Sequence, residues 1–307
     1  MDILDFNSWA LYKGAAEGSG RSEKSWLQKN GQTGLFKYPK SEFTTEHVSE
    51  KIAFLLCELL NIPCAHVDIG SFNGRIGSMG YNIINAQQES LLEGIWFISK
   101  MYKDFNPGAL YCEKSKKYYS IGMIQRVIKF VDSYNIEQQY LTSSLIDVLK
   151  MMVFDALIGN SDRHQSNWAY IFDTKADLFK FAPLYDNGSS LCSYVLEDAV
   201  DDILRDVRRF DALVGSKSRT KIRVNEDSKK APTHDEMLNH IKSNFYDDII
   251  PFIENIYNKI SNDSIAPILE AFPDPILSPK KKKLINLFIL AKKEHICNSF
   301  ICREANE

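Results

Sequence analysis

The sequence predicts an α+β fold of two lobes, a small β-rich N-lobe over residues 1–85 and a larger helical C-lobe over 86–307. Three observations carry this. Short apolar bursts separated by Gly, Asn and Pro turns fill the first lobe, which holds one prominent stretch of helical period. Apolar residues at three- and four-residue steps dominate the second. A chain of 307 residues is also long enough for two lobes, and buries most of its unfolded surface without disulfide or metal staples.

In order, the first 40 residues are rich in Gly, Ser and Lys, and Leu35-Phe36-Lys37-Tyr38 reads as a short strand closed by Pro39. From Glu46, the residues Val48, Ile52, Leu55, Leu56, Leu59 and Leu60 mark a helix. Thr44 or Thr45 can cap its start, and Asn61-Ile62-Pro63 ends it. Residues 65–69 and 75–84 read as strands, and the lobes join near 80–95. Helices follow over 119–131 and 141–158, the latter with Leu145, Val148, Leu149, Met152 and Leu157 on one face. Gly159 stops that helix and a polar loop, 160–167, leads into a strand hairpin, 168–172 and 178–181, turning at Asp173-Thr174-Lys175. Beyond Asp186-Asn187-Gly188 the chain is helical again, apart from a polar stretch at 215–235.

Composition narrows the function classes. A net charge of −3 and a pI near 6.1 supply no global attraction for nucleic acid or acidic membranes, so direct nucleic-acid binding is not expected. The start lacks a basic, then apolar, leader, and the apolar run Leu284 to Ala291 is too short to span a bilayer. Six scattered cysteines form no CxxC pair, which argues against zinc and for a reducing, cytoplasmic setting.

The segment that carries chemistry is helix, Gly, polar loop, hairpin, Asp. Asp162 and Asn167 stand five apart on the loop, the spacing of the catalytic Asp and metal-binding Asn in kinases. Nineteen residues after Asn167, Asp186-Asn187-Gly188 follows a strand, as the metal-binding Asp-Phe-Gly does there. The bland alternative makes Asp162 and Asn167 backbone caps and the second motif an ordinary turn. A phosphotransferase also needs a strand lysine, a helix glutamate and a phosphate loop. Lys37 and Glu50 fill the first two roles, with Glu46 competing for the second, and Gly14 to Ser22 offers small residues whose amides can approach phosphates.

These motifs, Ile158 to Asn167 and Ala182 to Leu191 above all, resemble the HipA-like serine/threonine kinases of bacteria, themselves distantly similar to phosphatidylinositol kinases. Gly18 to Trp26 leading to Leu35-Phe36-Lys37 fits the shorter members, and the likeness covers roughly 14–255. The resemblance implies a protein-kinase-like fold, ATP and Mg²⁺ as cofactors, and a protein Ser or Thr hydroxyl as acceptor. It implies that Asp162 is catalytic, that Asn167 and Asp186 bind magnesium, and that Lys37 contacts phosphate with Glu50 as its partner. Gly18, Ser19 and Gly20 fall in the phosphate loop, Tyr81, Asn82 and Ile83 in the adenine-contacting hinge, and Ser19 or Ser22 at an autophosphorylation position. His164 takes the family's position after Asp162. The early placement of Lys37 implies a chain without the longer members' extra N-terminal subdomain, which leaves an antitoxin or other regulatory partner chain open. A lipid or small-molecule kinase, or a nucleotide-binding module without turnover, are the competing readings. The basic stretch Ser216 to Lys230 reads as a solvated loop or as a recruiter of an acidic partner.

Overall fold

The computed structural model describes residues 1–13, 23–137 and 144–301. Among these, the chain forms two compact units. One comprises Met1–Ile83, Tyr185–Phe210 and Lys259–Leu290; the other comprises Ile84–Leu184, Asp211–Asn258 and Ala291–Glu307.

The first unit is built on strands β1 (Leu4–Asp5), β2 (Ala10–Leu11), β3 (Lys24–Lys29) and β4 (Gln32–Lys37), helix α1 (Glu46–Leu60), and strands β5 (Val67–Phe72) and β6 (Arg75–Tyr81). The sheet order is β1-β5-β6-β4-β3-β2, antiparallel except for β1 beside β5. Within the first 40 residues the sequence predicts only 35–38 as strand. The structure extends it into a β3–β4 hairpin, turned by Asn30 and Gly31 at φ 51° and 80°. Asn-Gly is the two-residue turn whose twist matches its flanking strands, so the signal was present. What hid it was composition: Lys29 and Gln32 are exposed, while Leu27 and Phe36 face inward among Phe6, Tyr38, Phe72 and Met79. Phe36 meets Phe6, Tyr38 and Phe72 edge-on at 5.7, 5.1 and 5.8 Å, the geometry aromatic quadrupoles prefer.

The second unit opens with β7 (Glu89–Glu93), α2 (Gly94–Met101), the small pair β8 (Phe105–Asn106) and β9 (Tyr111–Cys112), then α3 (Ile121–Glu137) and α4 (Ser144–Ile158). Strands β10 (Ala169–Asp173) and β11 (Leu178–Phe181) form the expected hairpin, and β7 adds to β10 as a third strand. The buried amide of Asn135 pins α3 to β11, donating to Phe179 O at 2.8 Å and accepting from Phe179 N at 2.9 Å. Helices α5 (Val200–Arg205), α6 (Val207–Val214), α7 (His234–Lys259), α8 (Asn262–Glu270) and α9 (Pro279–Phe300) complete the described chain. Phe245 kinks α7 with φ −143° and ψ 30°.

The break at 83/84 lies beside the expected 85/86, but residues 185–210 and 259–290, assigned to the C-lobe in sequence, associate with the first unit. Hydrogen bonds explain it. Thr45 N donates to Ser193 O at 3.1 Å, Ser49 Oγ to Ser190 O at 3.0 Å, and Lys259 Nζ to Leu59 O at 2.8 Å. A contiguous reading cannot see bonds spanning 140 to 200 positions.

No disulfide joins the described cysteines. No helix of the described residues is long and apolar enough to cross a membrane.

Candidate functional site

In the first unit, three expected site residues meet. Lys37, the last residue of β4, holds Asp186 Oδ1 at 2.8 Å and Glu50 Oε1 at 3.6 Å. Register aims the lysine: Leu35 and Lys37 lie on the face opposite the buried Phe36. Glu50 projects from α1, nearly buried, and its other oxygen accepts from Asn187 N at 3.0 Å. Burial works against the Lys37 ammonium, but the charges of Asp186 and Glu50 outweigh it and raise the lysine above its usual range. Burial pushes the Glu50 carboxyl up, against the opposing pull of Lys37 and the amides of Asn187 and Gly188.

Asp186 sits at φ 57°, a left-handed conformation that a non-glycine residue adopts at a cost. The turn is fixed around it. Asn187 N is spent on Glu50, Ser190 Oγ donates to Asn187 O at 2.5 Å, and a Cβ on Gly188 would stand 3.1 Å from Glu46 O. Glu50, rather than Glu46, is therefore the lysine's partner. Tyr81, Asn82 and Ile83, expected at a hinge, fall where β6 ends. Tyr81 N donates to His66 O at 2.9 Å and its hydroxyl to Asp68 at 3.0 Å, while Asn82 N donates to Thr33 O at 3.0 Å. Ile83 follows half-buried. Gly18, Ser19, Gly20 and Ser22 lie outside the described residues.

In the second unit, α4 ends at Ile158 and Gly159 reverses the chain at φ 65°. The loop that follows is held from beneath by Arg163, which has no exposed surface. Its guanidinium donates to Asp155 Oδ2 at 2.9 Å and Oδ1 at 2.7 Å, and to Asn167 O at 2.6 Å. Asn160 adds a second brace, donating to Asp155 Oδ1 at 2.9 Å and accepting from Asp162 N at 3.0 Å. Asn167 Nδ2 donates to Asp162 O at 2.8 Å, which ties the two ends of the loop and turns the other amide atom, its oxygen, away from that bond. His164 Nδ1 accepts from Ser166 N at 3.1 Å. Asp162 remains partly exposed.

Two partners of this loop were missed in sequence. Lys221 pairs with Asp162 Oδ1, although it lies 59 residues away in the stretch read as a solvated loop. His234, at the start of α7, bonds Asn160 O through Nε2 at 3.0 Å and Ser218 Oγ through Nδ1 at 2.8 Å. Lys292 of α9 closes the chain of contacts on Ser218 Oγ at 3.3 Å. Burial, helped by the charge of Lys292, lowers the His234 imidazole to about 3. Burial likewise lowers Lys292 to about 8, against the pull of Asp235. Nothing in local pattern marks these long-range partners; only the clustering of cations at 217–230 hinted at Lys221.

The donors suit magnesium held with nucleotide phosphates. Such a site takes one or two protein oxygens and leaves the rest to phosphate and water, so it needs no protein cage. Among the described residues no group of three or more His, Cys, Asp or Glu forms one. Asp186 and Asn167 each present a side-chain oxygen of the required kind.

Residues 12–242 match the family model of the HipA-like C-terminal domain. The chain is similar to the serine/threonine-protein kinase CtkA of Helicobacter pylori (strain J99 / ATCC 700824), 20% identical over 303 residues, which is 96% of this chain and 87% of CtkA. Its structure resembles the crystal structure of the H. pylori proinflammatory kinase CtkA with a TM-score of 0.79 and 18% identity, over 97% of this chain and 96% of that one. It also resembles HipA of the Shewanella oneidensis MR-1 toxin–antitoxin system, solved with HipB and operator DNA. There the TM-score is 0.56 and the identity 13%, over 94% of this chain and 67% of that one. The expected kinase-like fold is therefore the fold this chain has.

Proposed function

The chain belongs to the family with the HipA-like C-terminal domain, and from that membership we propose that it is an ATP- and magnesium-dependent kinase acting on Ser or Thr hydroxyls of proteins. The observation that carries the reading is the Lys37 ammonium, shared at 2.8 and 3.6 Å between Asp186 and Glu50. Kinases of this type require the strand lysine, the helix glutamate and the turn aspartate to be in place together. The likeness to a kinase named for serine/threonine specificity supports the choice of acceptor.

Each residue then has a task. Lys37 faces the nucleotide phosphates, and Glu50 holds both the lysine and the Asn187 amide. Asp186 and Asn167 are each assigned as a magnesium ligand. When bound, magnesium neutralises the phosphates and keeps them aligned. Asp162 accepts the hydrogen bond of the acceptor hydroxyl and takes its proton as the new O–P bond forms and ADP departs. The hinge residues Tyr81, Asn82 and Ile83 are assigned to adenine. Ser19 or Ser22 is assigned to self-modification, where a phosphate would add about −1.5 to −2 charge to a loop meant for nucleotide phosphates. The complex of HipA with HipB and operator DNA supports a regulatory partner chain, and it leaves the expectation of no nucleic-acid contact without support.

The test is transfer of label from γ-labelled ATP with Mg²⁺, to the protein itself and to a lysate. Wild type should label itself or a lysate band. Asp162→Ala should lose at least about 10²-fold in rate with nucleotide affinity retained, as removal of a proton acceptor does. Lys37→Ala should weaken both. Near-wild-type transfer by Asp162→Ala would sink the assignment.

A further inference from the structure

The segment 216–230 is not a loose loop. Thr220 N donates to Pro232 O at 3.1 Å, Arg219 pairs with Thr233 as a β-bridge, and Ile222 is buried. Arg223 ties the hairpin across, donating to Lys221 O at 2.6 Å and to Lys229 O at 3.2 Å. Its own backbone is fixed on α3's approach, N to Tyr119 O at 3.0 Å and O from Ile121 N at 2.9 Å. Lys221 thus reaches Asp162 from a built hairpin, with Lys229 one guanidinium away and Lys217 and Lys230 on the flanks.

The charge of this hairpin is not cancelled internally. Its acids are satisfied from outside: Glu226 by Arg126 at 2.9 Å and Lys117 at 3.4 Å, and Asp227 by Lys117 at 2.7 Å. Asp235 faces His295 at 3.5 Å, and Glu236 caps Thr233 N at 2.7 Å while feeling Lys230 and Arg219. Lys217, Lys229 and Lys230 are exposed, and none of them makes an ion pair among the described residues.

We propose that this hairpin is the acceptor-docking surface, and that it selects hydroxyls flanked by acidic residues. The inference rests on the kinase reading and deepens it by naming the substrate class. A carboxylate beside the acceptor hydroxyl meets Lys221 next to Asp162, and further acids meet Lys217, Lys229 and Lys230. An acidic peptide suits the patch better than a nucleic acid does. Three exposed lysines match a short run of carboxylates, whereas a chain of net charge −3 has no broad field to hold a polyanion.

Three peptides of equal length decide it, each with one Ser flanked by Glu, Gln or Lys. The Glu peptide should exceed the Gln peptide at least about tenfold in kcat/KM and in affinity by fluorescence anisotropy, and the gap should shrink in high salt. The triple variant K217E/K229E/K230E should reverse the preference, so that the Lys peptide exceeds the Glu peptide, its melting temperature serving as the folding control. Equal use of Glu and Gln peptides by wild type overturns the proposal. So does displacement of the Glu peptide by single-stranded RNA at lower concentration than by polyglutamate. Tight Glu-peptide binding with no phosphate transfer to any peptide sustains the surface and refutes the kinase reading instead.

Discussion

Arg163 and Asp155 are buried together beneath the loop that presents Asp162, and their bonds to each other, to Asn160 and to Asn167 O bear on that loop's shape. A buried pair of this kind adds little net stability, but removing one partner strands the other charge. His234 acts on the same loop from α7 and is neutral at pH 7, keeping the one ring proton that a bond from Nε2 to Asn160 O requires. Its folded value near 3 lies below the ordinary 6.5, so the unfolded chain binds a proton that the folded one refuses. Above about pH 6.5 the group contributes nothing either way, and as pH falls from 6.5 toward 3 the fold loses about 1.4 kcal/mol per pH unit to protonation of the unfolded chain. Urea unfolding at a series of pH values should therefore show a shallower acid limb for His234→Gln than for wild type. His47, which burial lowers to about 4, titrates in both proteins and cancels in the comparison. Identical limbs would show that the fold does not depress the His234 pKa.

At the scale of elements, the junction of β7, α2 and the loop that carries Asp162 is set by Gly94. Its amide donates to Trp168 O at 2.9 Å, and a Cβ there would stand 2.3 Å from the buried indole ring. Gly94→Ala should cost about 1–3 kcal/mol, as overpacking does, whereas Gly80→Ala, whose Cβ would find only Leu35 O at 3.9 Å, should cost much less from crowding. Equal losses in thermal melts of the two variants would refute the packing account. Helices α1 and α4 and the β10–β11 hairpin were legible because their apolar periodicity is strong and their turn residues stand in place. Strand β7 was not, since Glu89-Ser90-Leu91-Leu92-Glu93 gains its identity only from pairing with β10. The site divides the same way. Lys37, Glu50, Asp162, Asn167 and Asp186 stood in recognisable order, and Lys37 pairs with Glu50 as the resemblance implied, while its closer contact with Asp186 was not anticipated. Lys221 and His234 did not stand out, because a charge pattern says nothing about which loop folds back on which.

For the molecule as a whole, nucleotide binding should register as global stability, because a ligand held by the native state alone shifts unfolding by mass action. ATP with Mg²⁺ should raise the melting temperature well beyond ATP with EDTA, and Asp186→Asn should remove most of that difference. An unchanged magnesium-dependent shift in the variant would place the metal elsewhere. The composition of the first unit bears on something else, the order of events at the ribosome. Its sheet and α1 are finished by residue 83, yet two further segments of the unit, 185–210 and 259–290, are still unmade. At roughly 5–20 residues per second, the last of them emerges some 10–40 s later. Through that interval the nascent sheet lacks Ser190, Ser193 and Lys259, the partners of α1, and must wait in an incomplete state. Synthesis of the N-terminal 83 residues alone should accordingly yield a chain that chaperones retain and proteases clear, a dependence on vectorial timing written into the connectivity rather than into any one contact.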